Sequence, residues 1–207
     1  MNETTQKSFS YLALGDSYTI GASVPYSESY PSQLISALTS EGLKNTGTKV
    51  IAQTGWTTSN LIAAESSAHL LDTFDIVSLL IGVNNQYQNK TISEYKLEFV
   101  QLLNTAIERA GGRKDKVFIL SIPDYGYTPF GHNNQAHISE QIDLFNATNK
   151  QIADSAGVVY FDITPISRLG LTQPDLIASD GLHPSGKMYA LWVELIKQKV
   201  FSLISKP

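Results

Sequence analysis

The apolar positions of this chain follow two periods that alternate from end to end. Short, nearly continuous apolar runs occur at residues 11–14, 75–81, 116–122 and 158–161, and they read as strands buried on both faces. A weaker run at residues 49–52 reads as a fifth strand. Between them, apolar residues recur three and four apart. Leu34, Ile35 and Leu38 predict a helix over residues 31–43, ended near Gly42. Phe99, Leu102, Leu103, Ala106 and Ile107 predict a helix over residues 93–110, stopped by Gly111-Gly112. Residues 58–68 read as a short helix, and Ile138, Ile142, Phe145 and Ile152 mark one over residues 138–156. Met188, Leu191, Trp192, Leu195, Ile196 and Leu203 mark a last amphipathic helix. Strands interleaved with helices predict a three-layer α/β domain around about five parallel strands. No repeat or linker interrupts the pattern, so residues 1–207 are expected to form a single domain, with residues 1–9 a flexible N-terminal segment. The longest irregular stretch, residues 123–135, is rich in aromatic residues and glycine, and long loops in compact domains often carry function.

Composition narrows the classes. The 207 residues are 42% hydrophobic and 16% charged, which suits a globular chain rather than a disordered one. A net charge of −4 gives no general attraction to nucleic acid or to an anionic membrane, so no nucleic-acid partner is expected. With no cysteine, disulfides, thiol catalysis and thiolate metal sites are excluded. No apolar run approaches transmembrane length, so no integral membrane segment is expected. Residues 1–10 are polar and show no apolar signal-peptide core. That leaves the location open: cytoplasmic by the absence of a visible signal peptide, periplasmic or secreted if a leader has been removed.

Ligands of open α/β sheets bind beyond the carboxyl ends of the strands, and several polar or glycine-containing segments sit at those ends. Ser17 follows the first strand in Gly15-Asp16-Ser17-Tyr18-Thr19; Gly55 follows the second; Gly82 and Asn84 follow the third. Position 19 is threonine, so this is not the G-x-S-x-G elbow of ordinary α/β-hydrolases. On its own the segment reads equally well as a helix cap. His183, in Asp180-Gly181-Leu182-His183-Pro184, has a carboxylate three residues before it that can hold Nδ1 and leave Nε2 to act as a base. Alone, that segment reads as a turn opening the last helix. Gly55, through its backbone N–H, and Asn84, through its neutral side-chain amide, are candidate oxyanion donors. The aromatic residues Tyr18, Trp56, Tyr87, Tyr125, Tyr127 and Phe130 lie near strand ends and are candidate pocket walls. His132, His137 and Asp124 fit no metal-ligand spacing, and no phosphate-binding glycine loop is present, so neither a metal nor another cofactor is expected.

Taken together these residues resemble the SGNH, or GDSL, hydrolases (GDSL-like lipases and acylhydrolases). Leu14-Gly15-Asp16-Ser17-Tyr18 is similar to the family's first block, Gly55-Trp56-Thr57 to its second, Gly82-Val83-Asn84-Asn85 to its third (usually G-x-N-D), and Asp180-Gly181-Leu182-His183 to its last, D-x-x-H. All four occur in order. Two positions depart from the pattern: Tyr18 stands where leucine is common, and Asn85 where aspartate is usual, which leaves open how the Asn84 loop is braced.

The resemblance implies a flavodoxin-like α/β/α sandwich. It also implies a Ser17-His183-Asp180 triad, an oxyanion hole from the Ser17 and Gly55 N–H groups and the Asn84 amide, and hydrolysis of an acyl ester without a cofactor. A carboxylesterase or lipase-like acylhydrolase is the first expectation, acting on a small-molecule, glycan or lipid ester. A carbohydrate O-acetylesterase, a thioesterase or a lysophospholipase is the alternative. Outside the enzymes, a noncatalytic glycan- or lipid-binding module would keep the same fold.

Overall fold

The computed structural model describes residues 6–70 and 72–206. Five strands, β1 (Ser8–Gly15), β2 (Lys44–Ala52), β3 (Ile76–Leu80), β4 (Val117–Leu120) and β5 (Val159–Phe161), form one sheet in the order β2-β1-β3-β4-β5, with every neighbouring pair parallel. All five residues of β3, Ser78 included, and all four of β4 are buried, as their nearly continuous apolar runs predict for central strands covered on both faces. β2 begins at Lys44, five residues earlier than its apolar run suggested. None of Lys44 to Lys49 is buried, since this stretch runs along the sheet edge, and so it carries no apolar run. β1 begins at Ser8 and Phe9 is fully buried, so the irregular segment expected over residues 1–9 does not include Ser8 and Phe9. Residues 1–5 of that segment lie outside the described residues.

The main helices are α2 (Tyr30–Ser40), α3 (Thr58–Ser67), α5 (Ile92–Arg109), α6 (Gln135–Ala156) and α8 (Gly186–Ser205). Helix α2 packs on α8, while α3, α5 and α6 pack in succession, so the sheet lies between two helical layers. The buried stripe of α5 is Tyr95, Phe99, Leu102, Leu103 and Ala106, the three-and-four spacing of its sequence. Tyr30, Tyr189 and Trp192 close the core on the α2/α8 side. No helix among the described residues is long and apolar enough to cross a membrane.

Three short helices, α1 (Ser17–Ile20), α4 (Val83–Tyr87) and α7 (Thr164–Ser167), follow strands β1, β3 and β5. The strand order reverses direction between β1 and β3, and in sheets of this order that switch point opens a crevice at the carboxyl ends. Helices α1 and α4 start on its two sides.

Candidate active site

Ser17 owes its position to the end of β1. A Cβ on Gly15 would fall 2.4 Å from the Leu80 carbonyl oxygen, so only glycine lets β1 approach β3 this closely before the chain turns. Asp16 then caps α1, its Oδ1 accepting from Tyr18 N–H at 3.0 Å. Ser17 opens the helix, so its N–H has no acceptor within the helix. Asp16 is fully buried, and that burial pushes its carboxyl up to about 7 against the hydrogen bond from the Tyr18 N–H. Among the described residues its Oδ2 has no hydrogen-bond partner.

Two more donors converge from β2 and β3. Gly55, in the turn after β2, has φ 84°, a conformation that favours glycine. Asn84 lies in the first turn of α4, and its Nδ2 donates to the Trp56 carbonyl at 3.0 Å. An amide nitrogen carries two N–H groups, so this bond fixes the side chain and leaves one donor free. Asn85 is 1% exposed and clamps the start of α3: its Oδ1 accepts from Thr58 N–H at 3.0 Å and its Nδ2 donates to Thr58 Oγ1 at 2.6 Å. The Thr58 hydroxyl in turn donates to Glu98 on α5. The Asn84 loop is therefore braced through an amide, with a carboxylate one step further out.

The last block is held in a narrow loop before α8. Ile177 and Pro184 form an antiparallel bridge, and Ala178 N–H donates to the His183 carbonyl at 2.8 Å. The Asp180 carboxylate accepts four hydrogen bonds. Oδ1 takes the N–H groups of Leu182 (2.9 Å) and His183 (3.0 Å); Oδ2 faces His183 Nδ1 at 2.5 Å and accepts from Ser23 Oγ at 2.6 Å. Partial burial pushes this carboxyl up, but the bonds from His183, Ser23 and the two N–H groups outweigh it and hold Asp180 well below the usual carboxylate range. The Tyr18 ring meets the His183 ring edge-on at 5.8 Å between centroids.

Ser17, Gly55, Asn84 and His183 line one cavity of about 190 Å³. Tyr18, Tyr87, Tyr125 and Phe130 line it too, with Val83 and Leu182. Ser17 and His183 are not hydrogen-bonded to one another among the described residues; such contacts are often long before substrate binds. Two expected wall residues lie elsewhere. Trp56 packs against the core and offers the site only its carbonyl. The Tyr127 ring lies 5.8 Å from the Arg168 guanidinium, away from the cavity. Asp124 is taken by that same arginine at 2.9 Å, and His132 Nδ1 lies 2.8 Å from the Pro129 carbonyl oxygen. Among the described residues no three histidines or carboxylates gather as a metal site. Ser23 was not singled out from the sequence. It sits in an unremarkable Gly21-Ala22-Ser23 loop, and its partner is 157 residues away, so no local signal marks it.

Comparison with known proteins extends this picture. The sequence model of the GDSL-like Lipase/Acylhydrolase family matches residues 13–191. A search of curated proteins finds no match. Among solved structures, TesA is 15% identical, with a TM-score of 0.73 over 94% of this chain and 99% of its own. A lipase/acylhydrolase from Enterococcus faecalis is 20% identical, with a TM-score of 0.72 over 93% and 95%. Axe2, an acetylxylan esterase from Geobacillus stearothermophilus, is 19% identical, with a TM-score of 0.68 over 99% and 98%. At these identities the three share the fold, in agreement with the parallel sandwich described above. The family match spans most of the chain and takes in Ser17, Gly55, Asn84 and His183, so the chain belongs to the GDSL-like lipase/acylhydrolase family and is an ester-bond hydrolase.

Proposed function

We infer that this protein is a serine carboxylesterase in which Ser17 is the nucleophile, His183 the general base and Asp180 the group that orients it. His183 Nε2 takes the Ser17 proton as Oγ attacks the ester carbonyl. The oxyanion that forms is met by the Ser17 and Gly55 N–H groups and the free Asn84 N–H. His183 gives the proton to the leaving alcohol, and water activated by the same ring releases the acid. The observation that carries this reading is the convergence of Ser17, His183 and two uncommitted donors on one cavity, with Asp180 bound to the far nitrogen of the ring. The apolar walls Val83, Leu182 and Tyr125, in a cavity of about 190 Å³, favour a short acyl group over a long fatty chain.

The test is turnover of 4-nitrophenyl esters from acetate to palmitate, together with labelling by a fluorophosphonate. The wild-type protein is expected to label and to prefer the short esters. Ser17→Ala is expected to lose both while keeping its thermal midpoint. Wild-type turnover in a pure Ser17→Ala sample would remove Ser17 from the role of nucleophile. Faster turnover of palmitate than of butyrate would contradict the short acyl site.

A further inference from the structure

The cavity at Ser17 has a second groove behind its aromatic wall. Tyr87, Tyr125 and Phe130 line both spaces, and the groove beyond them has a volume of about 310 Å³. The three rings form a closed cluster, with centroids 6.2 to 6.3 Å apart. Tyr125 is nearly buried and its hydroxyl donates to Gln86 Oε1 at 2.9 Å, which fixes the centre of the cluster. Tyr87 and Phe130 are 57% and 52% exposed. Two large rings left half in water at the mouth of a reaction cavity form a platform for an apolar face.

The far side of the groove is of different chemistry. Asn89, Asn133, Asn134 and His137 face it. Each asparagine amide both donates and accepts, which matches hydroxyl groups and is wasted on an alkyl chain. No Lys, Arg, Asp or Glu lines it among the described residues. A phosphorylated alcohol, such as coenzyme A or a phospholipid headgroup, would bring charges that this groove does not pair. A neutral ligand that is apolar on its ring faces and hydroxylated around its edge fits both halves. The groove is also tied to the reacting loop: Phe130 N–H donates to the Gly181 carbonyl at 3.0 Å, between Asp180 and His183.

We propose that the groove between Tyr87, Phe130 and Asn133 is a subsite for the alcohol part of the substrate, and that this alcohol is a neutral carbohydrate of more than one sugar unit. The proposal rests on the ester-hydrolase reading above and adds the identity of the leaving group. In the reaction the bond between the acyl carbon and the sugar oxygen breaks, that oxygen takes the proton held by His183, and water supplies the hydroxyl of the released acid. The sugar ring beside the ester stacks on Tyr87 or Phe130, and the next unit reaches the asparagines and His137.

The experiment compares O-acetylated mono- and trisaccharides of xylose, mannose and glucose with 4-nitrophenyl acetate, acetyl coenzyme A and a lysophospholipid. At least one trisaccharide is expected to exceed its monosaccharide in kcat/KM by about fivefold, the factor that one neutral hydrogen bond carries. The double variant Asn133→Ala/His137→Ala is expected to bring that ratio back towards one, through KM rather than kcat. Saturation-transfer NMR on Ser17→Ala reads sugar binding without chemistry, and the double variant in that background is expected to lose the signal. If none of the three series gains with length, or if acetyl coenzyme A or the lysophospholipid is turned over faster than every sugar ester, the proposal is overturned. Failure of the hydrolase reading looks different: 4-nitrophenyl acetate turnover would survive Ser17→Ala, and the NMR signal would still decide the sugar site.

Discussion

Ser23 Oγ lies 2.6 Å from Asp180 Oδ2, the same carboxylate oxygen that meets His183 Nδ1. Ser23 has φ 68°, a left-handed conformation unusual for a residue with a side chain. The loop after α1 thus reaches across to the loop before α8, joining the segment that carries Ser17 to the one that carries His183.

The Ser23 hydroxyl helps to hold the Asp180 oxygen that meets His183 Nδ1. Ser23→Ala is expected to lower kcat by about fivefold, the factor that one neutral hydrogen bond carries, with KM unchanged. Ser23→Gly also loses the hydroxyl but relieves the left-handed backbone, so it should show the same loss of kcat while keeping stability within about 1 kcal/mol. A role in folding alone would separate the two variants in thermal midpoint and leave both kcat values where they were.

The Asn85 clamp makes a second prediction. Thr58 Oγ has a single proton, and it is given to Glu98 while the oxygen accepts from Asn85. Asn85→Asp, although it restores the residue usual in the family, sets two carboxylates to compete for that proton, one of them buried. It is expected to lower stability by about 1–3 kcal/mol. Adding Glu98→Gln supplies an amide donor to Thr58 and should recover most of the loss. Chemical denaturation of the two single variants and the double variant measures the coupling, and additive losses would show that the three side chains do not act as one network.

The parts of the fold that were legible are those where one residue type has one use. The runs of β3 and β4 are mostly apolar because both faces are covered, Gly15, Ser17, Gly55 and Asn84 stand in short blocks after strands, and His183 stands in a short block before the last helix. What the sequence hid depends on partners far along the chain or on side-chain direction. Ser23 and Glu98 become parts of the site only through Asp180 and Thr58. Trp56 and Tyr127 are aromatic and sit at strand ends, as the pocket walls do, but Trp56 packs on the core and Tyr127 faces Arg168. The polar start of β2 is a strand because β1 pairs with it, and its own pattern says little.

Arg168 is expected to hold the long loop that carries Tyr125 and Phe130. Its Nε donates to Asp124 Oδ2 at 2.9 Å and its Nη2 to Asp143 at 2.7 Å, while Asp124 is fully buried and also receives Gly126 N–H. Arg168→Leu strands that buried carboxylate. Because the arginine is itself partly exposed, the loss is expected near the lower end of the range for broken buried pairs, about 3 kcal/mol. KM for the ester should rise as the aromatic wall loosens. The double variant Asp124→Asn/Arg168→Leu removes the charge as well as its partner and should be the more stable of the two. Equal stability of the two would show that Asp124 needs no counter-charge.

Asp16 sets a pH dependence on folding. Its carboxyl sits at about 7 in the folded chain, against an ordinary value of 3.8, because burial disfavours the charged form. Folding therefore takes up a proton between those two values. The contribution of Asp16 is fully present below pH ~4, is lost as the pH rises towards 7, and is level above it, with a steepest slope of about 1.4 kcal/mol per pH unit. Asp180 has the opposite sign, since its carboxyl is held low: its contribution is present above the ordinary carboxylate value and is lost only as the solution becomes more acid. Between pH 5 and 8 the slope from these two carboxylates is thus that of Asp16 alone. The thermal midpoint is expected to fall by about 5 °C or more across that window. Asp16→Asn keeps an oxygen for Tyr18 N–H and carries no titrating group, so its midpoint should vary much less. A wild-type slope retained in Asp16→Asn would mean that the proton taken up on folding is bound elsewhere.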